Sequence, residues 1–139
     1  MSTTSSLKKQ FILNTLMPYL LDPEIMGYNK EQKSCLYLTK DGKKCAVGKH
    51  MRPGPWQHHP GSFAAMISGG PCTMEAILTE EAFNANLSVR EWTCIQRVHD
   101  DIREPRELLI QKVEDLEEVS GEDFGEMIEL TLDTYEENN

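Results

Sequence analysis

The spacing of apolar residues is the feature that most constrains this chain, because over most of its length it has the period of an amphipathic helix. A capping box, Ser88–Glu91, precedes one such stretch, so a helix is predicted to begin there. Pro105 suits the first turn of the next helix, and Ser120-Gly121 separates that helix from the last one. The positions predicted to face inward on these three helices are Trp92, Ile95, His99, Ile102, Leu109, Val113, Leu116, Val119, Phe124, Ile128, Thr131 and Tyr135.

Two further helices are predicted upstream of these. Ser5 or Ser6 can cap the first, although Pro18 should kink or end it because proline has no amide hydrogen to donate. Thr73 can cap a short helix over Met74–Phe83. The inward positions predicted for the first helix are Leu7, Phe11, Leu16 and Leu20.

Residues 35–48 carry a different signal, that of a β-hairpin. Asp41-Gly42 lies between two strand-like runs, and this dipeptide is favoured in two-residue hairpin turns because both central residues need positive φ. One face of the ribbon would be apolar and must pack on helices, since a lone hairpin is marginal in water. That face pairs Leu36 with Val47 and Leu38 with Cys45, and the other holds Tyr37, Thr39, Lys44 and Ala46. The predicted fold class is mainly α (α+β), a helical domain with one two-stranded antiparallel β-hairpin.

The whole chain, 1–139, fits a single domain that is large enough to bury a core. Its longest predicted loop is 53–71, which is dense in glycine and proline. Loops of this length are uncommon in a small domain unless they are functional or mobile. This one carries Trp56, His58 and His59. Trp56 could anchor a partner or fold back over the core, and the sequence leaves both interpretations open.

Charge is distributed unevenly along the chain. The formal net charge is −9, and residues 100–139 hold three Lys or Arg against fifteen Asp or Glu. A nucleic-acid-binding protein needs a net basic face, so this balance argues against direct binding to DNA or RNA. The acidic helices predicted over 105–136 would instead be attracted to basic protein surfaces. A solvated helix face is the plain alternative.

Neither membrane insertion nor secretion is indicated by the sequence. The longest apolar stretch, Phe11–Leu21, is interrupted by polar residues and a proline, and it is too short to span a bilayer. No basic-then-apolar signal pattern follows Met1, so we expect a cytoplasmic protein. The cysteines show no C-x-x-C pair and are expected to be free, buried thiols. They are Cys35, Cys45, Cys72 and Cys94.

Cysteine and histidine residues could support metal binding or nucleophilic catalysis, but their spacing favours neither. Cys45 and His50 are five residues apart, as are Cys94 and His99, which is poor spacing for zinc ligands on one helix face. Cys45 with His99 is the one defensible pairing of nucleophile and base. The favoured interpretation is a core cysteine and a histidine that bridges helix and hairpin. We therefore predict no metal, no cofactor, no catalytic residues and no enzymatic activity.

Two motifs occur in a fixed order, Cys35–Gly48 and Ile95–Asp100. Together they resemble a family of small uncharacterised proteins encoded by tailed phages, prophages and some bacteria. In that family the hairpin reads C-x-Y and then D-G-x-K-C-A-V-G, and a later helix reads L-Q-x-I-H-D. The resemblance implies a viral or prophage accessory protein in the host bacterial cytoplasm, and no particular activity. The chain departs from it at Lys49–Met51, where the family often has Leu-Ile-Pro-Asp, and in its acidic C-terminal segment.

The function predicted from these features is a non-enzymatic accessory protein that binds and inhibits or redirects a host factor, such as a component of host defence. Two alternatives stay open. One is a small-ligand or metal-binding protein that uses the hairpin, the Trp56 loop and His99, and the other is an acidic mimic of nucleic acid. The sequence names neither the partner nor the oligomeric state. The candidate binding residues are Tyr37, Trp56, His58, His59, His99, Asp100, Glu117, Glu118, Glu122 and Asp123.

Overall fold

A computed structural model describes residues 6–22, 25, 28–29, 34–35, 37–38, 42–58, 63, 67, 73–102 and 104–138. Its helices are α1 (Ser6–Leu21), α2 (Met74–Ile77), α3 (Glu80–Asn84), α4 (Val89–Asp100), α5 (Arg106–Ser120) and α6 (Gly125–Asn138). Two short strands, β1 (Tyr28–Asn29) and β2 (Ser34–Cys35), pair antiparallel, and 3₁₀ turns occupy Gly48–His50 and Pro55–His58. The described chain is mainly helical, as the apolar spacing predicts. Among the described residues, no helix has both the length and the apolar character needed to cross a membrane.

The start of α4 confirms the predicted capping box. The Ser88 hydroxyl accepts a hydrogen bond from the Glu91 amide at 3.1 Å, and the Glu91 carboxylate accepts one from the Ser88 amide at 2.8 Å. Glu91 is buried and also forms an ion pair with Lys8 of α1. One carboxylate therefore both fixes the start of α4 and joins α4 to α1.

The core forms where α4 packs against α1 and α5, and α1 against α6. Trp92 of α4 is fully buried, with its ring centroid 5.9 Å from that of Phe11 and 6.1 Å from that of Phe63. Most of the inward positions predicted for α4, α5 and α6 are buried, which confirms the helical pattern, although Ile102 and Val119 are only half-buried. On α1, Phe11, Leu16 and Leu20 are buried as predicted, but Leu7 lies in the first turn and is 81% exposed.

Two local predictions for the helices need correction. Of the two outcomes predicted for Pro18, a kink or an end, the end is wrong, because α1 continues to Leu21. The single helix predicted after Thr73 is two short helices, because Leu78 is extended and forms a β-bridge with Met51. Thr79 then caps α3 by accepting a hydrogen bond from the Ala82 amide at 3.3 Å. Pairing with a distant segment thus overrides local helix propensity at Leu78.

The hairpin predicted over 35–48 is not shown, and the described residues 42–48 contain no strand. Cys45, Ala46 and Val47 are all buried, whereas a ribbon would alternate their directions. The amide of Lys49 donates to the Cys45 carbonyl at 2.9 Å, and that of His50 donates to the Val47 carbonyl at 3.0 Å. This part of the chain is therefore coiled in helical turns rather than extended. Leu36, Thr39 and Asp41 lie outside the described residues.

Candidate functional site

His99 lies at the centre of a polar cluster, which we define as Tyr19, Cys45, Gln96, His99 and Asp100. Tyr19, Cys45 and His99 are buried, Gln96 is half-buried and Asp100 is exposed. The His99 side chain is fully buried, and its Nδ1 atom lies 3.0 Å from an oxygen of the Asp100 carboxylate. The same oxygen accepts a hydrogen bond from Gln96 Nε2 at 2.8 Å. The ring of Tyr19 meets the His99 imidazole edge-to-face, with 4.6 Å between centroids. The cluster thus joins α4 to α1.

Two side chains of this cluster hold the backbone of the segment 44–47. The phenol of Tyr19 donates a hydrogen bond to the Lys44 carbonyl at 2.6 Å. The side-chain carbonyl of Gln96 accepts one from the Val47 amide at 3.2 Å. In the predicted hairpin the Val47 amide would instead have paired across the strands.

Cys45 lies in this cluster as a protonated thiol. Its Sγ atom accepts a hydrogen bond from the Gly48 amide at 3.3 Å. Burial is the main cause that raises the pKa of the thiol to about 12, and the nearby Asp100 carboxylate contributes to this rise. A cysteine nucleophile needs the opposite shift, so this environment favours the structural interpretation of Cys45.

Tyr37 packs beside the same segment. It is buried, and burial together with Cys45 and Asp100 raises the pKa of its phenol. A Cβ atom on Gly48 would lie only 2.1 Å from the Tyr37 carbonyl oxygen, so this close approach requires glycine. Tyr37 and Gly48, both in the first motif, therefore lie in contact, and Gln96 of the second motif bonds to the neighbouring Val47.

One atom of the cluster, His99 Nε2, is buried and has no hydrogen-bond partner among the residues that the structure describes. When the Asp100 carboxylate accepts a hydrogen bond from Nδ1–H, Nε2 carries a lone pair that faces the protein interior. A buried polar atom left unpaired in this way costs about 1–3 kcal/mol.

His50 makes a second histidine contact and is half-buried. Its spacing from Cys45 indicated only a poor zinc ligand. Its Nε2 atom lies 2.8 Å from the Thr15 hydroxyl, which itself donates to the Phe11 carbonyl at 2.9 Å. The hydroxyl therefore accepts the hydrogen bond from His50 Nε2–H. Burial, together with the Lys49 charge, lowers the pKa of His50 to about 4. The imidazole is neutral at pH 7 and joins the segment around Gly48 to α1.

Trp56 folds back onto its own loop. The indole N–H donates a hydrogen bond to the Arg52 carbonyl at 2.6 Å, and the ring packs over Gly54. The ring is half-buried against the core. This geometry favours the interpretation of Trp56 as a lid over the core. His59 and the side chain of His58 lie outside the described part of the chain.

Helices α5 and α6 and the turn between them carry exposed carboxylates, which we together call the acidic face. Two apolar side chains on the same helices are also exposed, Leu108 of α5 at 45% and Leu130 of α6 at 57%. Arg106 forms an ion pair with Asp133 at 2.9 Å. The acidic face consists of Glu107, Glu114, Asp115, Glu118, Asp123, Glu126, Glu129 and Asp133.

Glu117, assigned to a binding surface from the sequence, has a structural role instead. One oxygen of its carboxylate accepts hydrogen bonds from the amides of Phe124 and Gly125, each at 2.8 Å. These amides lie at the start of α6, where main-chain N–H groups lack helical partners. Glu117 therefore caps α6, while Glu118 and Asp123 are exposed and Glu122 is half-buried.

Comparisons of the chain with protein-family models, curated proteins and solved structures found no match. Within the described ranges, no group of three or more His, Cys, Asp or Glu side chains is arranged to hold a metal ion.

Proposed function

We propose that this protein is a non-enzymatic accessory protein, of the phage or prophage type that its motifs resemble, which acts by binding a basic surface of a host protein. The observation that carries the proposal is the acidic face of α5 and α6, which combines exposed carboxylates with the exposed side chains of Leu108 and Leu130. Binding would inhibit or redirect that host protein.

The charge and the apolar side chains of the acidic face indicate which kind of partner surface it would bind. Carboxylates spread over two helices attract Lys- and Arg-rich surfaces and accelerate encounter, and this effect weakens as ionic strength rises. Leu108 and Leu130 add apolar area that a partner can bury, which strengthens the complex after encounter. A basic protein surface with apolar pockets is therefore the expected partner.

The proposal that the protein is not an enzyme is supported by the chemistry of the His99 cluster. The Cys45 thiol has a pKa raised to about 12 and is protonated at neutral pH. His99 is fully buried, and its Nδ1 atom contacts Asp100. The side chains of Tyr19, Gln96 and Cys45 bond to the backbone of 44–48.

The test is to purify complexes formed by the tagged protein in bacterial lysate and then to reverse charge on the acidic face. The variant carries Glu114→Lys, Glu126→Lys and Glu129→Lys, all at exposed positions. Loss of one specific partner, with slower association of the purified pair, is the expected result.

A matched control carries Glu75→Lys, Glu80→Lys and Glu81→Lys on α2 and α3, which changes the net charge by the same amount away from the acidic face. This control should retain the partner. Equal loss in both variants would mean that only net charge matters, and it would contradict the proposed face. A captured DNA-binding protein that is released by competing duplex DNA would instead support the nucleic-acid mimic.

A further inference from the structure

A groove of about 680 Å³ lies between α4 and α5, away from the His99 cluster. Its floor is formed by Thr93 and Cys94, with the apolar side chains of Val89 and Val119 beside them. This volume falls within the range typical of small-molecule sites. Of the candidate binding residues proposed from the sequence, Glu118 alone lines this groove.

The two walls of the groove carry opposite charges. Arg90 and Arg97 extend from α4, while Asp115 and Glu118 extend from α5. All four side chains are exposed, and none forms an ion pair with a residue that the structure describes. Two cationic and two anionic groups therefore line one groove without neutralising each other by direct contact.

Charges from both walls converge on the floor of the groove. Burial raises the pKa of the Cys94 thiol; Arg97 and Arg90 act to lower it, and Asp115 acts to raise it. The Thr93 hydroxyl donates to the Val89 carbonyl at 2.9 Å, so its remaining capacity is to accept a hydrogen bond. The floor thus offers an acceptor and apolar surface between the charged walls.

We propose that this groove binds a small zwitterion that carries a carboxylate and a primary ammonium group on an aliphatic chain. The guanidinium groups of Arg90 and Arg97 can pair with the carboxylate in two-point geometry, which is the strongest recognition that arginine offers. Asp115 and Glu118 receive the ammonium group. The aliphatic chain covers Val89 and Val119.

The surrounding charge explains why the ligand is zwitterionic. The chain has a formal net charge of −9, and much of it lies on α5 and α6, so a multiply charged anion would be repelled. A simple cation would be attracted by Asp115 and Glu118 but repelled by the two arginines. A molecule with both charges satisfies both walls and has no net charge to be repelled.

Titration of the ¹⁵N-labelled protein with ε-aminocaproate, followed by two-dimensional NMR, tests this site. Hexanoate and hexylamine serve as probes that each carry only one of the two charges. We expect saturable shifts of amides along α4 and α5 with ε-aminocaproate, and affinity at least about tenfold weaker with either single-charge probe. Equal affinity for all three probes, or no saturable shift with ε-aminocaproate, overturns the proposal.

Variants then assign the contacts. Arg97→Gln and Glu118→Gln should each weaken binding of ε-aminocaproate by about tenfold, whereas the exposed Glu75→Gln on α2 should leave it unchanged. The double exchange Arg97→Glu with Glu118→Arg should bind better than either single charge reversal, because the groove then again holds two cationic and two anionic groups. Binding that is unaffected by these changes places the probe elsewhere and overturns the site. Because the charge-reversal test of the acidic face leaves these residues unchanged, the two proposals can fail separately.

Discussion

Gly48 lies so close to Tyr37 that a Cβ atom added to it would come within 2.1 Å of the Tyr37 carbonyl oxygen. The neighbouring atoms are backbone rather than a flexible side chain, so an added methyl group cannot be accommodated by a rotamer change. Replacing Gly48 with alanine should therefore lower the free energy of unfolding by about 3 kcal/mol, the upper end of the range for overpacking. Urea denaturation of the two proteins measures this loss.

Gly42→Ala is the matched control for that substitution. Gly42 has a φ of +86°, but nothing lies within 4 Å of its added Cβ. Only the left-handed backbone would then disfavour alanine, at a cost of about 1–2 kcal/mol. A smaller loss at Gly48 than at Gly42 would contradict the close packing against Tyr37.

The contact between Gly48 and Tyr37 also shows where sequence reasoning failed. The dipeptide Asp41-Gly42 favours a hairpin turn locally, but the segment that follows is held by side chains from distant helices. Gln96 of α4 and Tyr19 of α1 bond to its backbone at 3.2 Å and 2.6 Å. Such tertiary contacts replace cross-strand hydrogen bonds and leave no local pattern. By contrast, the start of α4 was predictable because the capping box at Ser88 depends on residues only three apart.

His50 should make stability depend on pH. Its pKa is about 4 in the folded protein and 6.5 ordinarily, so the unfolded chain binds a proton first as the pH falls. The stabilisation is fully present above pH 6.5 and is lost as the pH falls toward 4, by up to about 3 kcal/mol.

His50→Gln isolates this effect, since glutamine keeps a donor for the Thr15 hydroxyl but does not titrate. Free energies of unfolding measured from pH 7 to pH 4 should fall less steeply in the variant than in the wild type. Because the acidic side chains titrate in both proteins, the difference between the two curves is the quantity to compare. Parallel curves would show that His50 does not remain neutral on folding.

Glu117 and Glu118 should differ sharply although they are adjacent in the sequence. Glu117→Ala removes the acceptor for the amides of Phe124 and Gly125 and should destabilise the protein by about 1–2 kcal/mol. Glu118→Ala removes an exposed carboxylate and should change stability by less than about 0.5 kcal/mol. Urea denaturation of both variants makes the comparison, and equal losses would contradict the cap.

The distinction between these two glutamates could not be drawn from the sequence. Both belong to an acidic run, and nothing local shows which carboxylate will meet the start of α6. Gly121, with a φ of +74°, ends α5, and the turn that follows brings Phe124 and Gly125 back to Glu117.

His99 provides the last prediction, because its two ring nitrogens have different surroundings. Nδ1 contacts the Asp100 carboxylate at 3.0 Å, whereas Nε2 is buried without a described partner. Alanine at this position removes both the hydrogen bond and the edge-to-face contact with Tyr19, and should lower the free energy of unfolding by about 1–3 kcal/mol.

Asparagine at position 99 separates these contributions. Its side-chain amide can still donate to Asp100 in place of Nδ1–H, while the unpaired Nε2 atom is gone. His99→Asn should therefore retain more stability than His99→Ala, as measured by thermal and urea denaturation. If both variants unfold as the wild type does, the hydrogen bond to Asp100 does not stabilise the fold. If His99→Asn is less stable than His99→Ala, the stabilising hydrogen bond is made by Nε2 rather than by Nδ1. A group of the cluster around His99 must then bond to Nε2 when the protein is in solution.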